Sequence, residues 1–244
     1  MSYHQFKPHP ALSSYIDAYW KVTGDGKEPT TERILPDCCI DIIINLGSDF
    51  ISDHSGYKME YDKAYLVGTM TRYKETVREA DTHLVGVRFK PGAFGHFYRY
   101  GSLHELTDQI TEFEKKLVPS IHPSSRDLFR KLDCYFEARL SPSRTCIFPM
   151  ISDITNRKGI ISVVDLAKNH FTTERQLQRL FKEQMGIGPK DFINFVRYQF
   201  AIRALRKADA TKSLFDIAFD AGYYDHAHMT NEIKKYTGMP PSRL

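Results

Sequence analysis

The chain has little cysteine, a single tryptophan and no long apolar run, and each scarcity narrows what it can be. Its 244 residues include four cysteines, Cys38, Cys39, Cys134 and Cys146. They are too few and too unevenly placed for a disulfide framework. They also lack the paired spacing of a zinc site, so they read as reduced structural thiols of a cytoplasmic protein. No stretch approaches the roughly 18 apolar residues that a spanning helix needs, which argues against a membrane partner. The start, Met1-Ser2-Tyr3-His4-Gln5, has no basic region followed by an apolar one, so no secretory leader is expected. Residues 1–140 show no reactive or metal-binding constellation. Neither an enzyme nor a cofactor or metal is therefore expected.

What is present is the composition of a folded protein: 41% hydrophobic, 13% aromatic and 26% charged residues. The length allows one large domain or two ordinary ones. Net charge is only +4 but unevenly placed. Residues 151–244 carry 15 Lys and Arg against 10 Asp and Glu, a net of +5, and residues 1–150 carry the remaining −1. A basic segment on a near-neutral body is the electrostatic footprint of a polyanion binder, although ordinary surface variation could also give it.

Up to about residue 90 the chain reads as short strands and turns. Residues 15–22, 40–46, 64–69, 75–77 and 84–89 are rich in strand formers and bounded by turn residues. That spacing suggests a small antiparallel sandwich or barrel. Beyond residue 94 the period turns helical. Phe113, Leu117 and Val118 share a face in a helix ending 111–118. Leu128, Leu132, Tyr135, Phe136 and Leu140 do so in 124–140, and a further helix spans 143–157. These boundaries predict a β-rich domain over 1–140 with trailing helices, a linker helix at 141–157 and an all-α domain from 158 to 244.

The last ninety residues contain an internal repeat. Asp165-Leu166-Ala167 aligns with Asp216-Ile217-Ala218 at a spacing of 51, and after one extra residue in the second turn the spacing is 52. Leu177 then matches Met229, Phe181 matches Ile233, Gly186 matches Gly238 and Pro189 matches Pro241. Each unit, about 163–185 and 214–236, reads as helix, tight turn, helix. Thr173 with Gln176 three residues on is a capping-box start, and Gly186 a C-terminal stop. The second helix of unit one buries Leu177, Leu180 and Phe181. It shows Arg175, Gln178, Arg179 and Lys182 on the opposite face. The second helix of unit two shows His226, Thr230, Asn231 and Lys234. A short helix, a tight turn and a second helix with a basic or amide outer face is the helix-turn-helix arrangement, whose second helix enters the major groove. The helix from Pro189 to about Lys207, strongly apolar on one side through Phe192, Ile193, Val196, Phe200 and Leu205, would hold the two units about one DNA turn (~34 Å) apart.

Here the sequence resembles the AraC/XylS family of bacterial transcription regulators. Unit two carries it most fully: Ile217-Ala218-Phe219-Asp220-Ala221-Gly222-Tyr223, Asp225-His226-Ala227-His228-Met229, and Ile233 through Pro241. Unit one matches in Leu166-Ala167, Leu177 through Lys182 and Gly186-Ile187-Gly188-Pro189. Asn231 departs from the pattern, standing where the family often has Arg. Base contacts are expected from Arg175, Gln178 and Arg179, with His226, Thr230 and Asn231 as further candidates, and phosphate contacts from Lys182 and Lys234. The first helix, with more cations, should dominate recognition. The resemblance implies double-stranded DNA and RNA polymerase as partners, activation as the commoner habit, and an N-terminal domain that senses a small-molecule effector or pairs with a second copy.

Pro8 through Leu12, Leu35 through Ile43 and Gly86 through Ala93 resemble the poorly characterised β-rich domain found ahead of some AraC-type DNA-binding domains. Its expected fold is a cupin-like β-barrel, which makes the whole chain an α+β protein of two domains. Whether the interior holds a ligand or is filled core stays open, and no ligand-binding residue can be named. Trp20 could be core or an aromatic wall of a pocket. The pair Asp37 and Asp41 could serve as acid and base or simply cap a turn. An enzyme, or a protein-interaction module, fused to a DNA-binding tail is the alternative reading.

Overall fold

The computed structural model describes residues 2–26, 29–52, 56–122, 127–141, 147–207 and 213–243. The N-terminal part is built from β1 (Ser2–Phe6), β2 (Ile16–Thr23), β3 (Thr30–Ile34), β4 (Ile40–Asn45), β5 (Phe50–Ile51), β6 (Lys58–Met59), β7 (Ala64–Val67), β8 (Lys74–Arg78), β9 (His83–Phe89) and β10 (Ile110–Phe113). Six of them form one antiparallel sheet in the order β1-β2-β9-β4-β7-β10, and β3-β8 and β5-β6 form two separate two-stranded ribbons. Among the described residues the six-stranded sheet does not close, because its edges β1 and β10 are not paired with each other. The expected barrel is thus replaced by an open sheet with separate ribbons.

Successive side chains of a strand point to opposite faces, and the central strands are buried at consecutive positions, so the sheet is apolar on both faces. Ile40, Ile42 and Ile44 of β4, Val85, Val87 and Phe89 of β9, and Ala64 and Leu66 of β7 belong to one hydrophobic cluster. In that cluster they meet Leu128, Leu132 and Phe136 of helix α1 (Leu128–Arg139). The alternate positions turn the other way. Trp20, Tyr65 and Leu84 form a second cluster with Phe50 and Met59 of the β5-β6 ribbon. Gly86 pairs with Trp20 across β9 and β2, and a Cβ at Gly86 would come within 2.0 Å of the indole ring. The missing side chain is what lets the indole lie flat on the sheet.

The helix expected over 111–118 is not formed. Ile110–Phe113 pairs antiparallel with β7, Phe113 against Ala64 and Ile110 against Val67. Pairing with the open edge satisfies the backbone of this segment, and Phe113 packs against Phe94 and Tyr98. Of the helix expected over 124–140, residues 124–126 lie outside the described residues, and α1 begins at Leu128. Residues 142–146, Cys146 included, are likewise outside them, and α2 spans Phe148–Asn156.

The C-terminal helices are α3 (Val163–Asn169), α4 (Glu174–Met185), α5 (Pro189–Lys207), α6 (Leu214–Asp220) and α7 (His226–Thr237). They share a cluster that includes Leu166, Leu177, Phe181, Ile217, Met229 and Ile233. Helix α5 runs through its middle and is buried on more than one side, at Phe192, Ile193, Phe195, Val196, Tyr198, Ala201 and Ile202. The one-sided apolar face expected for it is thus widened, with Lys190, Asp191, Arg203, Arg206 and Lys207 left exposed.

Gly86→Ala is expected to push the indole off the sheet. The cost should be about 1–3 kcal/mol in denaturant unfolding, with a displaced emission maximum from Trp20.

Candidate nucleic-acid interface

Both helix-turn-helix units are closed by the same local chemistry. Ser162 caps α3 and Ser213 caps α6, each accepting from the backbone N–H three residues on. At the end of α3 the Thr172 N–H donates to the Ala167 carbonyl, and after α6 the Tyr223 N–H donates to Ala218, both at the 51-residue spacing. Gly222 takes a left-handed φ of 76°, whereas unit one places Phe171 in that conformation at φ 50°. Thr173 opens α4 with a full capping box to Gln176, and Asp225 opens α7 by accepting from the His228 N–H. Cap to cap the spacing is 52, so the extra residue falls at Tyr224, which stands almost wholly in solvent. Gly186 and Gly238 end the two helices in left-handed conformations.

Leu177, Phe181 and Met185 of α4, and Met229, Ile233 and Tyr236 of α7, are buried and set each helix's rotation. Arg175, Gln178 and Arg179 are consequently exposed and Lys182 half-buried. On α7, His226, Asn231 and Lys234 are exposed and Thr230 half-buried. Arg179 reaches Glu183 at 3.7 Å across a solvated face, a loose pair that leaves the guanidinium available. The Gln178 amide lies beside Gly188, where an added Cβ would sit 2.8 Å from its nitrogen. Gln178 is therefore turned toward the start of α5.

The sequence had not pointed to how the N-terminal domain holds these helices. The last carbonyls of an α-helix have no intrahelical donor. Here Thr69 Oγ1 donates to the Met185 carbonyl at 2.6 Å and Thr107 Oγ1 to the Gly186 carbonyl at 2.6 Å. His104 Nδ1 also meets the Gly186 carbonyl at 2.8 Å, which requires the proton on Nδ1 because a carbonyl only accepts. At the end of α7, Arg33 Nη1 donates to the Thr237 carbonyl at 3.1 Å. The Arg33 guanidinium is fixed by Glu75 at 2.6 Å and lies over the Tyr73 ring, which packs on Gly238. Both candidate recognition helices are thus gripped at their C-terminal ends, away from their first turns.

A cavity of about 430 Å³ lies between the large sheet and the β3-β8 and β5-β6 ribbons, and Trp20, Asp37, Cys39, Asp41 and Arg88 are among its walls. Trp20 is both buried and a cavity wall, so the two alternatives for it hold together. Arg88 Nε lies 3.2 Å from Asp37 and 3.3 Å from Asp41, and Trp20 Nε1 donates to Asp41 at 2.7 Å. Burial, aided by Asp37, raises Asp41 to about 6 against the pull of Arg88. Cys38, left-handed at φ 58°, belongs to the hydrophobic cluster of the C-terminal domain, while its neighbours Asp37 and Cys39 line the cavity. Burial pushes the thiols of Cys38 and Cys39 well up, so both are inert as nucleophiles; Cys134 is exposed. Among the described residues no group of three or more His, Cys, Asp or Glu is placed to hold a metal ion.

Residues 166–244 match the family model of a helix-turn-helix domain, and residues 4–112 match that of a domain of unknown function, DUF6597. A Streptomyces lividans protein described as an AraC-like transcription regulator is 34% identical over 80 residues. That match covers 33% of this chain and 26% of the relative, so the chain spans about a quarter of the relative's length. Among solved structures, fatty acid-bound ToxT from Vibrio cholerae is similar at 15% identity and a TM-score of 0.45, covering 92% of this chain and 94% of that one. An AraC-type DNA-binding domain-containing regulator from Chromobacterium violaceum is similar at 22% identity and a TM-score of 0.35, covering 39% of this chain and 88% of that one. Residues 166–244 therefore form a helix-turn-helix domain. Over 80 residues the chain is similar to an AraC-like transcription regulator.

Thr69→Val keeps the shape of a buried side chain but removes the donor to Met185. The orphaned carbonyl should cost about 1–3 kcal/mol, measured by denaturant unfolding of the full chain.

Proposed function

We propose that the chain is a sequence-specific transcription regulator that reads DNA through α4 and α7 and answers to a small effector held in the N-terminal cavity. The observation that carries the reading is the duplicated cap-turn-cap geometry, which exposes two polar helix faces while burying the opposite ones. Arg175 and Arg179 stand in the first half of α4, the end that a recognition helix points into the major groove. Arginine forks onto guanine, and Gln178 would do the same for adenine. His226, Thr230 and Asn231 are the corresponding base-contact candidates on α7, and Lys182 and Lys234 the phosphate contacts. We assign the larger share of recognition to α4, since α7 presents a single lysine among these positions.

The response to an effector is supported by the turn Asp37-Cys38-Cys39. Two of its residues line the cavity and the middle one sits in the DNA-binding domain's core, so filling the cavity bears on that core through adjacent peptide bonds. RNA polymerase and a second copy of the chain are further partners we assign by resemblance. We place the protein in the cytoplasm; among the described residues no helix is long and apolar enough to cross a membrane.

The test is a mobility-shift titration on the DNA upstream of its own gene. Arg179→Ala should lose about 1–3 kcal/mol of specific affinity and relax base preference, whereas Lys234→Ala should weaken binding to all sequences and lower the salt slope by about 1. Wild-type binding no tighter than to competitor DNA would exclude the regulator reading. An unchanged Arg179→Ala would remove α4 from base recognition.

A further inference from the structure

The N-terminal cavity has a charge imbalance at one end and an apolar body. The body is formed by Trp20, Ile43, Phe50, Met59 and Leu84, from the large sheet and the β5-β6 ribbon. Against the Trp20 indole N–H, two carboxylates, Asp37 and Asp41, share one guanidinium, that of Arg88. The remaining cations of the lining are engaged elsewhere. Arg78 pairs with Glu32 at 2.7 Å, Arg33 holds Glu75 and the Thr237 carbonyl, and Lys74 Nζ donates to the Asp108 carbonyl at 2.9 Å. The shared-arginine end is therefore one positive charge short.

Burial makes that shortage costly. Burial raises the Asp41 carboxyl against the pull of Arg88, and an indole N–H and a shared guanidinium are its support. A carboxylate in that position is stabilised by a second cation brought within contact distance. A second buried group on the same lining is also unserved: the Ser52 hydroxyl has no hydrogen-bond partner among the described residues. The volume, about 430 Å³, falls in the range that encloses a small organic ligand.

We infer that the cavity takes an amphipathic organic cation. Its amine or amidinium head sits against Asp37 and Asp41, and its apolar or aromatic body lies along Trp20 and Met59. This rests on reading the cavity as the effector site. The ligand completes the ion cluster that begins at Asp37, one residue before the Cys38 that enters the DNA-binding domain. An organic anion would place its charge beside two carboxylates.

Three probes of one shape decide the matter on the full chain: 4-phenylbutylamine, 4-phenylbutanol and 4-phenylbutyrate. Titration calorimetry measures affinity, and fluorescence of Trp20, the single tryptophan of the chain, reports whether the probe enters the cavity. The amine should bind about tenfold or more tighter than the alcohol or the acid and change Trp20 emission. Asp37→Asn should remove that preference and leave the alcohol's affinity unchanged. The proposal is overturned if the acid or the alcohol binds as tightly as the amine, if no probe binds, or if the amine binds without touching Trp20 emission. The wild-type ranking alone decides should Asp37→Asn fail to fold. Operator binding measured on the same samples separates the readings. Amine binding lost with DNA binding intact strikes the ligand class, and DNA binding absent with amine binding intact strikes the regulator.

Discussion

A helix that ends inside a protein must find donors for its last carbonyls, and most of the domain arrangement follows from how that demand is met here. α4 and α7 both end against the N-terminal domain, which supplies two threonine hydroxyls, a histidine ring N–H and a guanidinium. The C-terminal end of a helix is also the negative end of its dipole, so Arg33 at the end of α7 is favoured twice. The glycines at both ends matter for the same reason. At Gly186 a side chain would meet the Leu103 carbonyl at 2.9 Å, and the approach that lets Thr107 and His104 donate would be lost. The two helices are thus held at one end by a body that leaves their other ends and outer faces open.

That body is organised around a sheet with two apolar faces. One face is covered by α1 and filled. The other is covered only by short ribbons, and the space they leave is the cavity. A sheet buried on both sides can bring a charged residue inside only in a compensated pair, and Asp41 with Arg88 are direct cross-strand partners in β4 and β9. Arg33 belongs at once to the cavity wall and to the cap of α7, and Cys38 to the turn beside the cavity and to the core of the helical domain. Cavity and recognition helices are consequently joined by single residues rather than by a long chain of contacts.

The helical domain was legible in the sequence because its signals are local. Capping residues, three- and four-residue apolar spacing and a glycine stop all lie within one turn of the feature they mark, and the repeat states them twice. The N-terminal domain was legible only in its buried strands. β1 is exposed along its whole length and shows no alternation, so nothing in Ser2–Phe6 marks it as a strand. Ile110–Phe113 carries a spacing that also suits a helix, and only the free edge of β7 decides for the strand. Closure of the sheet depends on pairings between distant segments, which composition does not encode. At the site, the pair Asp37 and Asp41 could be singled out, but Arg88 lies 47 residues beyond Asp41 and is delivered by strand register. The donors to the helix ends were invisible because each contacts a main-chain carbonyl, and a carbonyl is the same atom in every residue.

That last fact has an evolutionary side. The hydrogen bonds from Thr69, Thr107, His104 and Arg33 are made to the main chain at the ends of α4 and α7. The residues proposed to face DNA can therefore be exchanged without rewriting those bonds. On the proposed reading, operator preference and domain communication are free to drift apart, so a duplicated copy could acquire new target genes while still answering to its old signal.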